Sequence, residues 1–295
     1  MKRTQKFPLY GWLGLIITMI SWAANWYLPG LRTSYFFFPL TAGYTMLVDA
    51  WAVARGGQSI IVGKKNLLPF LLIASIPSWW LFELLNLRTQ NWVYLGVESL
   101  SPAAYFISMS IAFSTVMPAI FSSANLMYTF DRVRNIRFNV KISKDKASLT
   151  KMFIVGWVML ALLLIWPTYF YPFVWICVIL IIEPLNVRLG FPSILDHLSE
   201  GNWKPVWALF AGGVVCGFFW EVCNYYSLPK WIYQIPFVGF LHIFEMPLLG
   251  YGGYMPFALE LFAVYNFMAG LLSIPITFHY KDALYEQTGI EDMAI

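Results

Sequence analysis

Apolar runs of about 20 residues, separated by short polar segments, recur along this 295-residue chain. A run of that length is what an α-helix needs to cross the hydrocarbon core of a bilayer. Only 12% of the residues are charged, about half the share that soluble domains carry. The alternation of apolar and polar positions that marks a membrane β-barrel does not occur. We therefore predict an all-α integral membrane protein.

The apolar runs predict eight transmembrane helices. They cover about residues 9–28, 35–54, 67–87, 102–130, 152–169, 171–187, 205–226 and 254–279. A further apolar piece, 237–249, is too short to cross a bilayer. Prolines and a glycine-rich stretch bracket this piece, so we predict a broken half-helix, either re-entrant or interfacial, before the last span. An interfacial hairpin is the alternative.

The distribution of basic residues predicts the orientation of these spans. Nearly all of the 19 Lys and Arg residues fall in the termini and loops on one side of the membrane. Cytoplasmic loops carry an excess of Lys and Arg. We therefore predict a multi-pass protein of the cell inner (plasma) membrane with both termini in the cytoplasm.

The same order of residues occurs twice in the chain: Glu-x-x-Asn, then Trp-x-Tyr, then Met-Pro. The first copy begins at Glu83 and the second at Glu221, with nearly equal spacing between the parts. Each copy contains four predicted spans, and an even number makes the copies parallel, related by an axis along the membrane normal. We predict two tandem four-span repeats, 1–130 and 152–295, joined by a basic cytoplasmic linker, 131–151.

Three carboxylates of the second repeat are the candidate catalytic residues: Glu221, Glu245 and Glu260. Ionisable groups in membrane-like sequence are costly and call for an explanation. Glu245 and Glu260 have no acidic counterpart in the first repeat, so we predict that the second repeat carries the working site. Glu260 follows Pro256 by one turn, and proline kinks often border cavities. It is either a general acid or a protonated carboxyl hydrogen-bonded between helices.

Glu221 also has a structural interpretation, because Glu83 occupies the same place in the first repeat. Glu and Asn three residues apart share a helix face. Both glutamates can therefore be hydrogen-bond clasps for the Trp-x-Tyr that follows, and a site role for Glu221 is the alternative. We predict that Glu221, Glu245 and Glu260 converge on one pocket in the outer half of the second repeat.

Polar and aromatic residues around these acids are the candidate substrate-binding groups: Asn224, Trp220, Trp231, Tyr233 and His242. A helix would align His242 with Glu245 as a proton relay or a metal pair. An interfacial histidine without a catalytic role is the alternative. Only three histidines occur, in separate regions, which argues against a di-iron enzyme. We expect no metal, no other cofactor and no nucleic-acid partner.

Aromatic residues make up 19% of the chain. Belts of Trp and Tyr at membrane interfaces account for part of that share. An excess inside the spans would also suit a long polyene or isoprenoid ligand, and aromatic faces stabilise carbocations. The sequence is compatible with both explanations.

Two segments carry a family resemblance: residues 79–83 (WWLFE) with residues 91–94 (NWVY), and residues 244–251 (FEMPLLGY). They resemble a family of uncharacterised bacterial integral membrane proteins. The resemblance covers nearly the whole chain. It implies a fold and a location in the membrane, and no activity.

A second resemblance concerns Trp220-Glu221, Trp231-Ile232-Tyr233 and Glu245-Met246-Pro247. Their order is similar to that in the lycopene cyclase domain of carotenoid biosynthesis. That family consists of tandem helical repeats with an acidic residue after a Trp, a Trp-x-Tyr and a Pro-x-Glu-Glu segment. Here the adjacent Glu-Glu pair is missing, and the proline follows the glutamate.

Two functions are compatible with these features. The first is an intramembrane enzyme that uses carboxylic acid chemistry on an isoprenoid-like or carotenoid-like lipid. In it, Glu245 and Glu260 donate protons while Glu221 and Asn224 position the substrate. The second is a non-enzymatic membrane protein, either a small-solute carrier or a lipid-binding scaffold. A cavity that opens sideways to lipid favours the enzyme, and a polar path to both faces favours the carrier.

The predicted topology is testable by cysteine labelling in intact cells. A membrane-impermeant maleimide should label Lys230→Cys, near the outer ends of the spans, and should spare Lys144→Cys in the cytoplasmic linker. The reason is the excess of basic residues on the linker side. Labelling at position 144 without labelling at position 230 would reverse the orientation.

Overall fold

The computed structural model describes residues 6–63, 65–138 and 140–274, which are mostly helical. The α-helices are α1 (Leu9–Tyr27), α2 (Thr33–Ala54), α3 (Leu67–Thr89), α4 (Pro102–Phe113), α5 (Val116–Tyr128), α6 (Asp131–Arg134), α7 (Lys146–Ile165), α8 (Pro167–Phe170), α9 (Cys177–Leu189), α10 (Ile194–Ser199), α11 (Lys204–Asn224) and α12 (Tyr254–Leu271). The strands are β1 (Trp92–Leu95), β2 (Lys230–Tyr233), β3 (His242–Ile243) and β4 (Met246–Pro247). Two 3-10 segments cover Tyr171–Trp175 and Leu248–Gly253.

Six stretches of the described chain are helical, long and apolar enough to cross a membrane. They are Thr33–Ala54, Leu67–Thr89, Pro102–Tyr128, Lys146–Ile165, Lys204–Asn224 and Leu248–Leu271. The pair Pro167–Trp175 and Cys177–Leu189, bent by 40°, is a seventh if counted as one span. These helices are compatible with a membrane protein. The first predicted span corresponds to α1, which is not among the six.

Part of the predicted topology lies outside the described residues. The predicted last span, 254–279, extends past residue 274. Residues 1–5 and 275–295, which include both termini predicted to be cytoplasmic, are also outside the described ranges.

Local sequence explains where several helices begin and end. The hydroxyl of Ser101 accepts from the main-chain N–H of Ala104 at 3.3 Å, and Pro102 follows as the first helical residue of α4. The carboxylate of Asp145 caps α7 in the same way. Helix α3 ends at Thr89, and the next residue, Gln90, has a left-handed φ of 50° that turns the chain towards β1.

Small residues let the central helices approach closely. A Cβ atom on Gly14 of α1 would lie 2.7 Å from the carbonyl oxygen of Gly43 in α2. A Cβ atom on Gly212 of α11 would lie 2.3 Å from the main-chain nitrogen of Ala124 in α5. Small residues at such crossings are typical of helix packing in membranes, where backbone contact replaces side-chain burial.

Helix contacts follow the same order in the two halves of the chain. In the first half α1 packs on α2, and α5 packs on both α2 and α3. In the second half α7 packs on α9, and α12 packs on both α9 and α11. The contact between α5 and α11 joins the halves at the centre of the bundle.

Strands β1 and β2 form an antiparallel ribbon between the two halves. Trp92 lies opposite Tyr233, Val93 opposite Ile232 and Tyr94 opposite Trp231. The Trp of each Trp-x-Tyr therefore lies opposite the Tyr of the other, which we call a reciprocal register. A two-fold axis that passes between Val93 and Ile232 would produce this pairing. Because β1 follows α3 and β2 follows α11, the ends of these two helices lie on the same side of the bundle.

The predicted half-helix at 237–249 is wrong. This segment contains the two-residue strands β3 and β4, paired as a hairpin, and the 3-10 segment then leads into α12. Phe237, Leu241 and Phe244 all have positive φ values, which a right-handed helix excludes. The prolines at 236 and 247 also remove main-chain donors. The structure contains the hairpin that was the alternative.

The register of the ribbon is testable by disulfide trapping. Val93→Cys combined with Ile232→Cys should form a disulfide under mild oxidation. Opposite residues of an antiparallel pair have Cα atoms about 4.5–5.5 Å apart, within the range that disulfides span. The measurement is a shift on a non-reducing gel after protease cleavage between the halves.

The matched control is Val93→Cys combined with Lys230→Cys, which lies two residues out of register and beyond the reach of a disulfide. The native Cys177, Cys216 and Cys223 are buried and free, so each single variant reports background oxidation. Equal crosslinking of both pairs would contradict the register.

Candidate functional site

A buried carboxylate in the first half gathers three aromatic donors. Oε1 of Glu83, on α3, accepts from Trp79 Nε1 at 2.8 Å, from Trp92 Nε1 at 3.1 Å and from the Tyr94 hydroxyl at 2.6 Å. Two of these donors belong to β1, so the glutamate ties the strand to the helix that precedes it. We call this arrangement, and its counterpart at Glu221, an aromatic clasp.

The second half has the same clasp. Oε1 of Glu221, on α11, accepts from Trp231 Nε1 at 3.2 Å, from the Tyr233 hydroxyl at 2.6 Å and from the Tyr254 hydroxyl at 2.7 Å. Burial, together with the neighbouring Glu221 carboxyl, holds the pKa of the Tyr233 hydroxyl well above its usual range. Tyr233 therefore remains a hydrogen-bond donor at physiological pH.

The asparagine three residues after each glutamate completes the clasp. Asn86 Nδ2 donates to the carbonyl of Trp92 at 2.8 Å, and Asn86 Oδ1 accepts from the Trp92 N–H at 3.3 Å. Asn224 makes the same two bonds to Trp231, at 2.7 and 3.0 Å. The predicted structural clasp is confirmed in both copies, and Asn224 uses both ends of its amide to hold β2.

An aromatic cavity of about 130 Å³, the first cavity, lies beside the ribbon between the start of α2, helix α4 and the start of α12. Its wall includes five tryptophans and three tyrosines: Trp79, Trp92, Trp175, Trp220, Trp231, Tyr94, Tyr233 and Tyr254. The three tyrosine hydroxyls all bond to the clasp glutamates. The clasps therefore turn the polar atoms of these tyrosines away and leave an apolar wall.

Trp220 and Lys230 are wall residues whose polar groups are not part of a clasp. The indole N–H of Trp220 is buried and has no partner among the described residues. Lys230 is the charged residue of the wall, and its Nζ is paired with the Glu245 carboxylate. The ion pair neutralises the charge of Lys230 at the cavity.

Glu260 lies inside the bundle and is fully buried. Neither carboxyl oxygen has a hydrogen-bond partner of normal geometry among the described residues. The carboxyl faces the main-chain N–H groups of Val178 and Ile179 in the first turn of α9. The positive end of a helix favours a carboxylate at such a place.

The candidate residues therefore occupy several different environments. Trp220, Trp231 and Tyr233 line the first cavity, with Glu221 and Asn224 directly behind its wall. None of the three acids predicted to converge, Glu221, Glu245 and Glu260, lines either of the two cavities described here. Glu221 and Glu245 both contact residues of β2, whereas Glu260 lies against the start of α9.

The alignment predicted for His242 with Glu245 is wrong. His242 lies in β3, is exposed and stands opposite Pro247 in the hairpin. Glu245 lies in the turn between β3 and β4 and pairs with Lys230 instead. A three-residue spacing aligns side chains on a helix, and this segment is extended.

A second pair of acids ties helices to loops at the opposite ends of the bundle. The carboxylate of Asp49, at the end of α2, accepts from the Ser59 hydroxyl and from the Ile60 N–H. Glu183 on α9 accepts from the Ser193 hydroxyl and the Ile194 N–H. Sequence reasoning missed these contacts, although a serine follows each acid by ten residues.

No protein-family model, curated protein or solved structure matches this chain. The site is therefore interpreted from its own residues.

The third donor of the Glu221 clasp is testable by a double-mutant cycle. Glu221→Ala and Tyr254→Phe should each lower the melting temperature, and their combined effect should be smaller than the sum of the two. Both changes remove the same hydrogen bond, and one such bond to a carboxylate contributes about 1.5–3 kcal/mol. The measurement is thermal unfolding of the purified protein in detergent.

Tyr251→Phe is the matched control for this cycle. The hydroxyl of Tyr251 donates to the carbonyl of Ile243 at 3.0 Å and not to Glu221. Its effect should add to that of Glu221→Ala. Additive behaviour of Tyr254→Phe as well would show that Tyr254 does not bond to Glu221.

Proposed function

We propose that this chain is a membrane protein that binds an apolar, isoprenoid-like lipid in the first cavity. The wall of that cavity carries the proposal: it consists largely of aromatic rings whose tyrosine hydroxyls bond to glutamates behind them. A wall of this kind gains free energy mainly by removing apolar ligand surface from water. The faces of the rings suit a flat conjugated or polyprenyl chain.

The same wall favours a lipid over a hydrated solute. Lys230 is paired with Glu245, so it offers no free charge to a polar substrate. A solute carrier builds its binding site from polar groups near the middle of the membrane. Lipid binding is therefore our first candidate, and the small-solute carrier is less well supported.

Filling the first cavity should remove the lipid. Ser108 lines this cavity from α4, and Ser108→Trp should reduce the lipid that is retained by the purified protein, because the indole occupies the space of the ligand. Ile107 precedes it on the same helix and is 57% exposed, so Ile107→Trp should retain the lipid. The measurement is lipid extraction and mass spectrometry, normalised to protein.

A wild-type protein that retains only bulk phospholipid would refute lipid binding in this cavity. Equal lipid retention by Ser108→Trp and Ile107→Trp would place the lipid elsewhere. Thermal unfolding of both variants checks that the fold is intact.

Glu260 supports a second candidate, an intramembrane enzyme that uses carboxylic acid chemistry on the same class of lipid. Its two carboxyl oxygens make no hydrogen bond of normal geometry with the described residues, and Phe257, one turn earlier on α12, lines the first cavity. A carboxyl that is not held by another side chain is available to exchange a proton. Glu221 already accepts three hydrogen bonds, and Glu245 is paired with Lys230. Glu260 is thus the candidate proton donor among the three acids.

If the protein is such an enzyme, Glu260→Gln should abolish conversion of the bound lipid. Gln keeps the shape of the side chain but cannot donate that proton. Conversion is followed by the chromatographic retention of the lipid, before and after incubation with the protein. Lipid content and melting temperature should stay close to those of the wild type.

Glu83→Gln is the matched control, because Glu83 has the clasp role without an acid chemistry role. It should lower the melting temperature and leave residual conversion. Equal loss of conversion and of melting temperature in both variants would show that these carboxyls are structural. The enzyme candidate would then be withdrawn and lipid binding retained.

The proposal includes the finer architecture predicted from the sequence. It has eight spans in two parallel four-span repeats, 1–130 and 152–295, joined by the linker 131–151. Helix α1 and the bent pair of α8 and α9 supply the spans beyond the six long helices. The paired aromatic clasps, the repeated order of helix contacts and the reciprocal register of the ribbon support it. Cytoplasmic termini and the inner membrane rest on the Lys and Arg distribution.

A further inference from the structure

A second cavity, of about 280 Å³, borders the first. Six residues line both of them: Trp92, Trp175, Tyr233, Met246, Gly250 and Gly253. The outer part of the second cavity is formed by the 3-10 segment 171–175, by the loop from Ile235 to Gly253 and by Asn91, the residue before β1. A ligand in either cavity therefore contacts the wall of the other.

The two cavities occupy corresponding places in the two halves. The first is lined by the start of α2 and by Lys230, which immediately precedes Trp231 of the second clasp. The second is lined by the 3-10 segment before α9 and by Asn91, which immediately precedes Trp92 of the first clasp. At the position before the clasp tryptophan, the wall of the first cavity carries the ion-paired Lys230. At the corresponding position, the wall of the second cavity carries the neutral amide of Asn91.

Asn91 is buried, and the oxygen of its side-chain amide is unsatisfied. The residue is 3% exposed, and its Oδ1 has no hydrogen-bond partner among the described residues. Its main chain is fixed, because the Asn91 carbonyl accepts from the Gln234 N–H at 2.8 Å. Asn86 and Asn224, by contrast, use both ends of their amides. A buried polar group without a partner calls for a bound water or a ligand.

The lining of the second cavity excludes a charged ligand group. The described residues that line it include Asn91 and Tyr171 as polar side chains, and none of these described residues is Asp, Glu, Lys, Arg or His. A phosphate or carboxylate placed there would have no counter-charge, and burying an unpaired charge is costly. An amide can present either its oxygen or its nitrogen by rotating. A hydroxyl, which both donates and accepts, satisfies either orientation.

We propose that the ligand is a neutral amphiphile, an isoprenoid-like alcohol, whose hydroxyl hydrogen-bonds to the Asn91 side chain in the second cavity while its chain lies along the shared aromatic wall. This rests on the proposed lipid-binding function and adds the class of head group. It distinguishes the ligand from a pure hydrocarbon and from a phosphorylated isoprenoid.

The test uses three probes with one C20 skeleton: phytane, phytanol and phytanyl phosphate. Full-length protein in nanodiscs is incubated with each tritiated probe, and the bound fraction is measured after gel filtration. Wild-type protein should bind phytanol about tenfold more tightly than phytane, the effect of one buried hydrogen bond. It should bind phytanyl phosphate more weakly than phytanol.

Asn91→Leu, a change of similar volume, should bind phytanol no more tightly than phytane. Equal binding of phytane and phytanol by the wild-type protein would mean that water satisfies Asn91. It would overturn this inference and leave lipid binding intact. If phytanyl phosphate bound most tightly of the three probes, the inference of a neutral head group would also be overturned. Failure of all three probes would refute the lipid-binding function itself. If Asn91→Leu fails to fold, the binding of the three probes by the wild-type protein still tests the inference.

Discussion

A buried carboxylate that accepts hydrogen bonds from aromatic side chains fixes the local structure of each half. An ionisable group within a membrane is tolerated only when it is paired or faces the protein interior. Here Glu83 and Glu221 each satisfy one oxygen with three aromatic donors. The same bonds set the orientation of rings that face the first cavity. The shape of the cavity therefore depends on two glutamates that do not line it.

Each half is tied at both ends by an acid on a helix. At one end Glu83 and Glu221 hold the strands of the ribbon, and at the other end Asp49 and Glu183 hold a serine and the next main-chain N–H. Differences between the halves are concentrated elsewhere. An unpaired Glu260 occurs in the second half alone, and the two cavities differ in the residue before each clasp tryptophan. Function would follow from these differences, because the scaffold is shared.

Apolar runs in the sequence predicted the long helices. The Glu-x-x-Asn spacing predicted the clasps, because it places both side chains on one helix face. It did not predict Tyr254 as the third donor to Glu221, 33 residues away, or the pairing of Lys230 with Glu245 across 15 residues. Those contacts depend on how separate elements pack. The prediction of a half-helix at 237–249 failed because the apolar composition of a segment does not show which residues adopt positive φ values, as Phe237, Leu241 and Phe244 do. The convergence of Glu221, Glu245 and Glu260 on one pocket stays a prediction: none of them lines the two cavities, although Glu245 lies near enough to Glu221 to interact electrostatically.

The two strands of the ribbon are synthesised at different times. Strand β1 belongs to the first half and its partner β2 to the second, so synthesis from the N-terminus completes β1 long before β2 exists. During that interval the first half holds an exposed strand edge, and such an edge can pair with other chains. The Glu83 clasp needs only residues of α3 and β1. It can hold the strand against its own helix until the second half arrives.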